Sequence, residues 1–569
     1  MFTDEILESD IGIFRDTIVL VGNSNGFTSK RTLDAKGMTA IPGLIDTHLH
    51  IESTMMTPTN FAAAVLPFGT TTVCADPHEI VNVLGKEGLR MMIKNAQGLP
   101  MKVLFFAPTC VPESDAVSSG AEITPEDIEE TLGWKGVCGL GEVMDTGALL
   151  SCDEKVLRIL EIGRERQAVI DGHCPLLSGK ELAAYVASGP EADHENFDAR
   201  LAVDKLRTGL YLKLRGPDIL DVRSFASQLC KMPKLDRLLF VTDDIMPDRL
   251  QAFGHLNNVC RAAIKEGMDP IEVVKSATIR AATHMRMSSL GAVSPGKTAD
   301  IVLVSSLGDM EPRVVISKGK VVARGGKLVT RIAPKTFDRE ASGTIYIRKL
   351  SKEDFLLPDL VDGEYSVRCI DFSPFRDLDL NNAGKQFLEM VLTKISIAKV
   401  DIAKRRVETE GVSTVLVFER HRGSGRRSFG FARNLMASGA LASTVSHDAH
   451  NLLVVGREPD DMHLAASELL RSRGGICVVK DKKVLARIAL PIAGLMCEDK
   501  LDSIATKMSR LRQSFRSIQM LDHPYMPIPF LLTLSVIPHG RITDKGLYDV
   551  DERKFLDPVI GQAKKKTHL

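Results

Sequence analysis

The chain has no excess charge of either sign: 73 lysines and arginines face 73 aspartates and glutamates across 569 residues. Binding to nucleic acid or to an anionic membrane ordinarily draws on a surplus of basic residues, so neither partner is expected. A small, neutral substrate fits the balance. The 10 cysteines are scattered and form no Cys-x-x-Cys pair, which excludes a secreted disulfide scaffold and leaves reduced thiols. The opening MFTDEILESD is acidic and lacks the basic segment and apolar run of an export signal. No apolar stretch, Phe530 to Ile537 included, approaches the ~20 residues that span a bilayer. A soluble, cytoplasmic protein is expected, with neither internal repeats nor low-complexity linkers.

A chain of this length calls for about three cores, or for one large barrel with attachments. Short β-branched runs in residues 1–41 (IGIF, TIVLVG) return in residues 291–345 (ADIVLVSS, RVVISKGKVVARGGKLVT) with Gly-Lys and Gly-Gly turns. They predict one small sheet domain split in sequence. Between them, in residues 42–290, strand-like runs (TTTVCAD, KVLFFAPT, GVCGLGEV, QAVIDGH, RLLFVTDD) alternate with amphipathic stretches such as Ile271 to His284. That is the α/β pattern of a βα barrel. Residues 346–569 mix helical pieces (NNAGKQFLEMVLTKI, DMHLAASELLRSR) with strands (VSTVLVFER, NLLVVG, GICVVKDKKVLARIAL), predicting a separate α+β domain. The basic KKKTHL end reads as a solvated tail.

Ionisable residues sit at the ends of the predicted barrel strands, where such barrels gather their catalytic groups. In PGLIDTHLHIE, His48 and His50 stand two apart at a strand end and project to one side, so both can chelate one metal. Glu142 (GLGEVMD), His173 (IDGHCP), His194 (EADHEN) and Asp243 with Asp244 (LLFVTDDIMPD) come next in order and are candidates to complete a two-metal site. Four histidines with two carboxylates suit Mn, Fe or Zn better than Mg or Ca. A bound divalent ion lowers the pKa of its water toward ~7, which makes hydrolysis the expected reaction class. Asp243 is the candidate to take a proton from that water and return it to the leaving group, with Asp244 as its competitor.

Two further clusters stay open to alternative readings. Asp76, His78 and Glu79 (ADPHEI) either serve a substrate ring or an additional metal, or form a helix start in which Asp76 caps and Pro77 takes the first helical position. Glu419, Arg420 and His421 (FERHRG) and His447, Asp448, His450 and Asn451 (SHDAHN) are either surface-loop residues or groups that the last domain lends to a pocket at the barrel mouth.

The run PGLIDTHLHIE, with GTTTV and GKTADIVLV after it, resembles the amidohydrolase superfamily, whose members pair a metal-binding (β/α)8 barrel with a small split β-sandwich. More narrowly, HIESTMMTPTNFAAAVLPFGTTTVCADPHEIVNVLG, GEVMD, DGHCPLLSGKELAAY, ADHE, TDDIMPD and SHDAHNLLVVG resemble the adenine deaminase family over nearly the whole chain, including the last α+β domain. This resemblance implies a binuclear centre held by His48, His50, Glu142, His173, His194 and Asp243, with Glu142 bridging. It implies two divalent ions, Mn2+ first, with Fe2+ or Zn2+ as alternatives. The implied reaction is hydrolytic deamination of adenine to hypoxanthine and ammonia, a metal-held hydroxide attacking C6 while Asp243 carries the proton. Glu79 and His78 then join Asp243 as catalytic candidates, and Glu79, Arg215, Asp244 and His450 become candidates for binding the purine. Barrels of this size commonly pair, so a homodimer is expected.

Three stretches depart from the family pattern. The family usually carries a further strand pair before the residues with which this chain begins, so the sandwich is expected to lack its first strands. LKLRGPD, residues 212–218, keeps Arg215 but not the family's next residues, and residues 419–436 are more basic and less Gly-regular. These changes bear on substrate identity more than on reaction class. The competing expectations are another amidohydrolase reaction on a related purine or cyclic amide, and a metal-binding homologue without catalysis.

Overall fold

The computed structural model describes residues 1–216, 222–375, 389–392 and 394–562. Pro217 and Asp218 of the altered 212–218 stretch, most of NNAGKQFLEMVLTKI and the KKKTHL end lie outside the described residues. A hairpin of β1 (Asp10–Phe14) and β2 (Thr17–Gly22) comes first, and β3 (Thr39–Pro42) is next. Only Gly43 separates β3 from β4 (Leu44–Leu49). β4 pairs in parallel with β5 (Thr70–Ala75), and the ladder continues through β6 (Lys102–Ala107), β7 (Val137–Val143) and β8 (Val169–Gly172). A second parallel set holds β9 (Ala192–Asp193), β10 (Tyr211–Leu214) and β11 (Leu238–Phe240).

Two backbone hydrogen bonds make one barrel of these eight strands. Glu191 N–H reaches the Ile170 carbonyl at 2.9 Å between the sets, and Asp243 N–H reaches the His48 carbonyl at 3.1 Å to close the ring. The residues explain the strands: β5 is TTTVCA, β-branched for the most part and buried throughout, as a strand covered on both faces must be. The outer helices are equally legible. Helix Leu256–Lys265 buries Leu256, Val259, Cys260 and Ala263, a single stripe at helical spacing. Helix Pro270–Ser276 opens with Asp269 accepting from the amides of Ile271 and Glu272 and with Pro at its first position.

β3 also pairs antiparallel with β12 (Ile301–Val304), which leads on through β13 (Pro312–Ser317), β14 (Lys320–Arg324) and β15 (Lys327–Leu328). Ile18 of the hairpin packs with Ile301, Leu303, Val314 and Ile316 of this sheet, giving the small split sandwich.

The last domain is built on one mixed sheet. Its strands are β16 (Gly363–Asp371), β17 (Ile395–Ala403), β18 (Arg406–Val407), β19 (Val412–Phe418), β20 (Arg427–Arg433), β21 (Ala440–Ser443), β22 (Leu452–Gly456), β23 (Gly475–Lys480) and β24 (Lys483–Ala489), in the order β18-β17-β16-β20-β19-β22-β21-β23-β24, and the strand Val559–Gln562 also pairs antiparallel with β16. Ile395, expected as the end of a helix, instead starts β17, whose ladder with β16 overrides the local helical pattern. Helix Leu501–Ser517 carries this domain against the barrel. Its Ile504, Met508 and Leu511 belong to the same apolar cluster as Met246 and Leu250, and Gln251 Nε2 donates to Asp502 Oδ1 at 2.8 Å. Among the described residues no helix is long and apolar enough to cross a membrane.

Candidate metal centre and pocket

The six residues proposed as ligands converge at the carboxyl ends of the barrel strands, all of them buried. His48 comes from β4 and His50 from just beyond it, Glu142 from β7, His173 and His194 come directly after β8 and β9, and Asp243 lies past β11 in a left-handed backbone conformation with φ of 57°. Glu142 lies between two histidine pairs. Its Oε1 is 3.5 Å from His50 Nε2 and 3.9 Å from His48 Nε2, and its Oε2 is 2.9 Å from His173 Nδ1 and 3.3 Å from His194 Nε2. Asp243 Oδ1 lies 3.2 Å from His50 Nε2 and 3.5 Å from His48 Nε2.

Groups behind this ring set its tautomers. His48 Nδ1 donates to Asp171 Oδ2 at 2.9 Å, and the same oxygen accepts Lys213 Nζ at 2.7 Å, with all three side chains fully buried. His50 Nδ1 donates to the Asp76 carbonyl at 3.0 Å. Both imidazoles therefore turn their Nε2 lone pairs toward Glu142 and Asp243, the orientation that metal-ligating histidines adopt. His48 Nε2, His173 Nε2 and His194 Nδ1 are buried without a hydrogen-bond partner. Three sets, His48 with His50 and Glu142, His48 with His194 and Asp243, and Glu142 with His173 and His194, bring their ligand atoms within 4.8 Å of one another. Such nitrogen and carboxylate donors fit borderline divalent ions.

The electrostatics agree with a site built for positive charge. Burial disfavours a charged His48, yet Asp171, Asp243 and Glu142 push it up to about 9. Burial alone would raise Asp243, but the Arg215 guanidinium and the adjacent imidazoles of His48 and His50 hold it well below the usual carboxylate range.

Asp76 does not cap the helix His78–Leu84, and Pro77 precedes that helix rather than opening it. Its Oδ2 accepts the Glu142 amide at 2.9 Å instead, a stronger claim on the carboxylate than a helix end. Gly141 makes this approach feasible, because a Cβ there would lie 2.2 Å from the same oxygen.

The surface-loop reading of the late clusters is likewise corrected: Glu419, Arg420, His421, His447, Asp448, His450 and Asn451 are all buried. The SHDAHN loop faces the barrel. His78 Nδ1 lies 3.4 Å from Glu142 and its Nε2 3.6 Å from Asp448 Oδ2. Glu79 Oε1 lies 3.4 Å from His447 Nδ1, and its Oε2 lies 3.7 Å from His450 Nε2. Arg215 pairs with Asp243 and Glu195, each at 2.7 Å. Asp244, half-buried, accepts the Ser53 hydroxyl, and the Tyr525 hydroxyl lies 3.2 Å from Asp244 Oδ2 and 3.3 Å from Asp243 Oδ2. The motifs did not reveal Ser53, Asp171, Glu195, Lys213 or Tyr525. Asp171 and Lys213 carried a signal, since each stands two before a site residue, His173 and Arg215, at strand spacing.

Residues 39–322 match the amidohydrolase family, whose members are metal-dependent, and residues 390–554 match the adenine deaminase C-terminal domain. The adenine deaminase of Thermosipho melanesiensis is 36% identical over 568 residues, covering 98% of this chain and 95% of that protein. The chain belongs to the adenine deaminase family. Similar members of the adenine deaminase family include that of Clostridium acetobutylicum, 34% identical over 98% of this chain and 95% of its own length. Adenine deaminase 2 of Carboxydothermus hydrogenoformans is 36% identical over 96% of this chain and 93% of its own. The likeness to adenine deaminases thus runs through the barrel and the last domain alike.

Proposed function

We propose that this chain hydrolyses adenine to hypoxanthine and ammonia at the barrel mouth, with His48, His50, Glu142, His173, His194 and Asp243 holding two divalent ions, Mn2+ by preference. The observation that carries this reading is the placement of Glu142, whose two carboxylate oxygens each face a different histidine pair. Full-length similarity to adenine deaminases supports the substrate. A bound metal pair supplies a water activated at neutral pH.

The chain's own groups then manage protons. Asp243 has Oδ2 occupied by Arg215, so its Oδ1, which faces His48 and His50, is the oxygen left to accept a proton from the water. Glu79, beside His78 and raised above the usual carboxylate range by burial, is placed to hold a proton for ring nitrogen N1. As water adds at C6, Glu79 gives its proton to N1 and Asp243 takes one from the water; as the C–N bond breaks, Asp243 passes that proton to the departing amine and the proton of the new hydroxyl returns to Glu79. The buried walls that the last domain contributes exclude bulk water from these transfers.

The test is to incubate Mn2+-loaded protein with adenine and track hypoxanthine absorbance and ammonia together, with metal-stripped protein as control. Metal-dependent appearance of both supports the reading. Adenine left intact by protein with its metals bound sinks it.

A further inference from the structure

Arg420, just past β19, is fully buried, and among the described residues its guanidinium bonds only neutral acceptors. Nε donates to the His450 carbonyl, Nη1 to the Thr344 hydroxyl at 3.3 Å and Nη2 to the Ala493 carbonyl at 2.9 Å. A buried charge without a counter-ion opposes folding, so the groups it holds are informative. His421 joins it, Nε2 donating to the Ala449 carbonyl at 2.7 Å, and the Arg420 amide donates to Asn451 Oδ1 at 3.2 Å. Glu419 secures the turn beneath by accepting the amides of Arg422 at 2.7 Å and Ser424 at 3.1 Å. Three successive residues, 449 to 451, are therefore gripped from one side.

The gripped loop turns its other side to the barrel. The Ser446 amide donates to His450 Nδ1 at 3.3 Å, which fixes the neutral tautomer and leaves Nε2–H as a donor facing Glu79. His450 Nε2 and His447 Nε2 are buried without a hydrogen-bond partner, and so is Glu113 Oε2 on the loop after β6. Glu113 Oε1 accepts the Ser535 hydroxyl at 3.3 Å. Open donors and acceptors on buried side chains call for a ligand that alternates the two. The edge of a purine remote from its amino group does so, presenting ring-nitrogen acceptors beside one N–H donor.

We propose that Ser446–Asn451 is a base-recognition loop, in which His447 and His450, with Glu113, read the purine edge remote from C6, and that Arg420 and His421 are its positioning residues. This rests on the adenine reading above.

The test compares two amides that differ by one methylene, His421→Gln, which reaches Ala449, and His421→Asn, which does not. Both are assayed as Mn2+-loaded protein for adenine turnover, and the 446–451 backbone is monitored by hydrogen exchange. The Asn variant is expected to raise KM on the order of tenfold and to speed exchange in the loop, with kcat and metal content near wild type. The Gln variant is expected to restore both. Thr344→Val, which removes one hydroxyl beneath Arg420, is expected to act in the same direction and serves if the Asn variant does not fold. Wild-type KM and exchange in both the Asn and Val variants, or faster exchange with unchanged KM, overturns the proposal. Wild-type protein inert toward adenine overturns the underlying reading instead. Calorimetric titration with adenine then decides the loop, and absence of binding overturns it too.

Discussion

Tyr525 and Asp243 lie far apart in the chain, yet the phenol hydroxyl donates to the aspartate Oδ2 at 3.3 Å. Arg512 seats the tyrosine. Its guanidinium bonds the carbonyls of His523 at 2.8 Å and Pro524 at 2.9 Å while Nε holds Asp248 of the barrel at 2.7 Å. One cation thus fixes both the tyrosine loop and the helix Pro247–Phe253 that follows Asp243. Tyr525→Phe keeps the packing and removes the donor, and is expected to lower kcat for adenine by roughly tenfold without moving the melting temperature. An unchanged kcat would show that Asp243 is held without the tyrosine.

The buried line Lys213–Asp171–His48 predicts a different signature. Asp171→Asn releases the tautomer of His48, and its Mn2+ affinity is expected to fall on the order of 10- to 100-fold. Competition with a chelating dye measures this without reference to turnover, and wild-type affinity would remove Asp171 from the support of the site.

His48→Ala is expected to abolish metal loading and activity together, whereas Asp243→Asn should impair turnover more than folding. Metal counts per chain and thermal melts on both variants provide the check. A His48→Ala protein that carries two ions and works would overturn the ligand assignment.

His255 supplies a pH dependence outside the metal centre. It lies between Thr70 and Thr242, 3.8 Å from Asp46 Oδ2, and burial holds it down to about 3. Below its ordinary value near 6.5 the unfolded chain takes up a proton that the folded chain refuses. This contribution is therefore complete above about pH 6.5 and is lost as pH falls from there toward 3. Urea unfolding near pH 7 and near pH 5 is expected to differ by about 2 kcal/mol from this group, and His255→Gln should narrow the gap by that amount. An equal gap in the variant would mean that other groups carry the acid sensitivity.

The barrel and the convergence of the candidate ligands were legible because their signals are local. Period-two spacing placed His48 and His50 on one side, and ionisable residues at the ends of β7, β8, β9 and β11 marked the rest. The choice left open at Asp76 was a competition that local rules do not weigh: a helix end against an amide from β7. Tyr525 had no signal at all, since its partner is set by how the helix Leu501–Ser517 docks on the barrel. The sequence left SHDAHN open between a surface loop and a pocket wall, because its burial depends on a grip from FERHRG at the end of a different strand.

β3 is shared property. Its residues close a sandwich sheet against β12, and one glycine later the chain has become the barrel strand that carries His48. A Cβ on Gly43 would sit 2.2 Å from the Thr71 hydroxyl, so the junction tolerates no side chain and no slack. The sandwich therefore acts as a splint for the strand that carries His48, and an excised barrel fragment would begin with that strand untethered at one end.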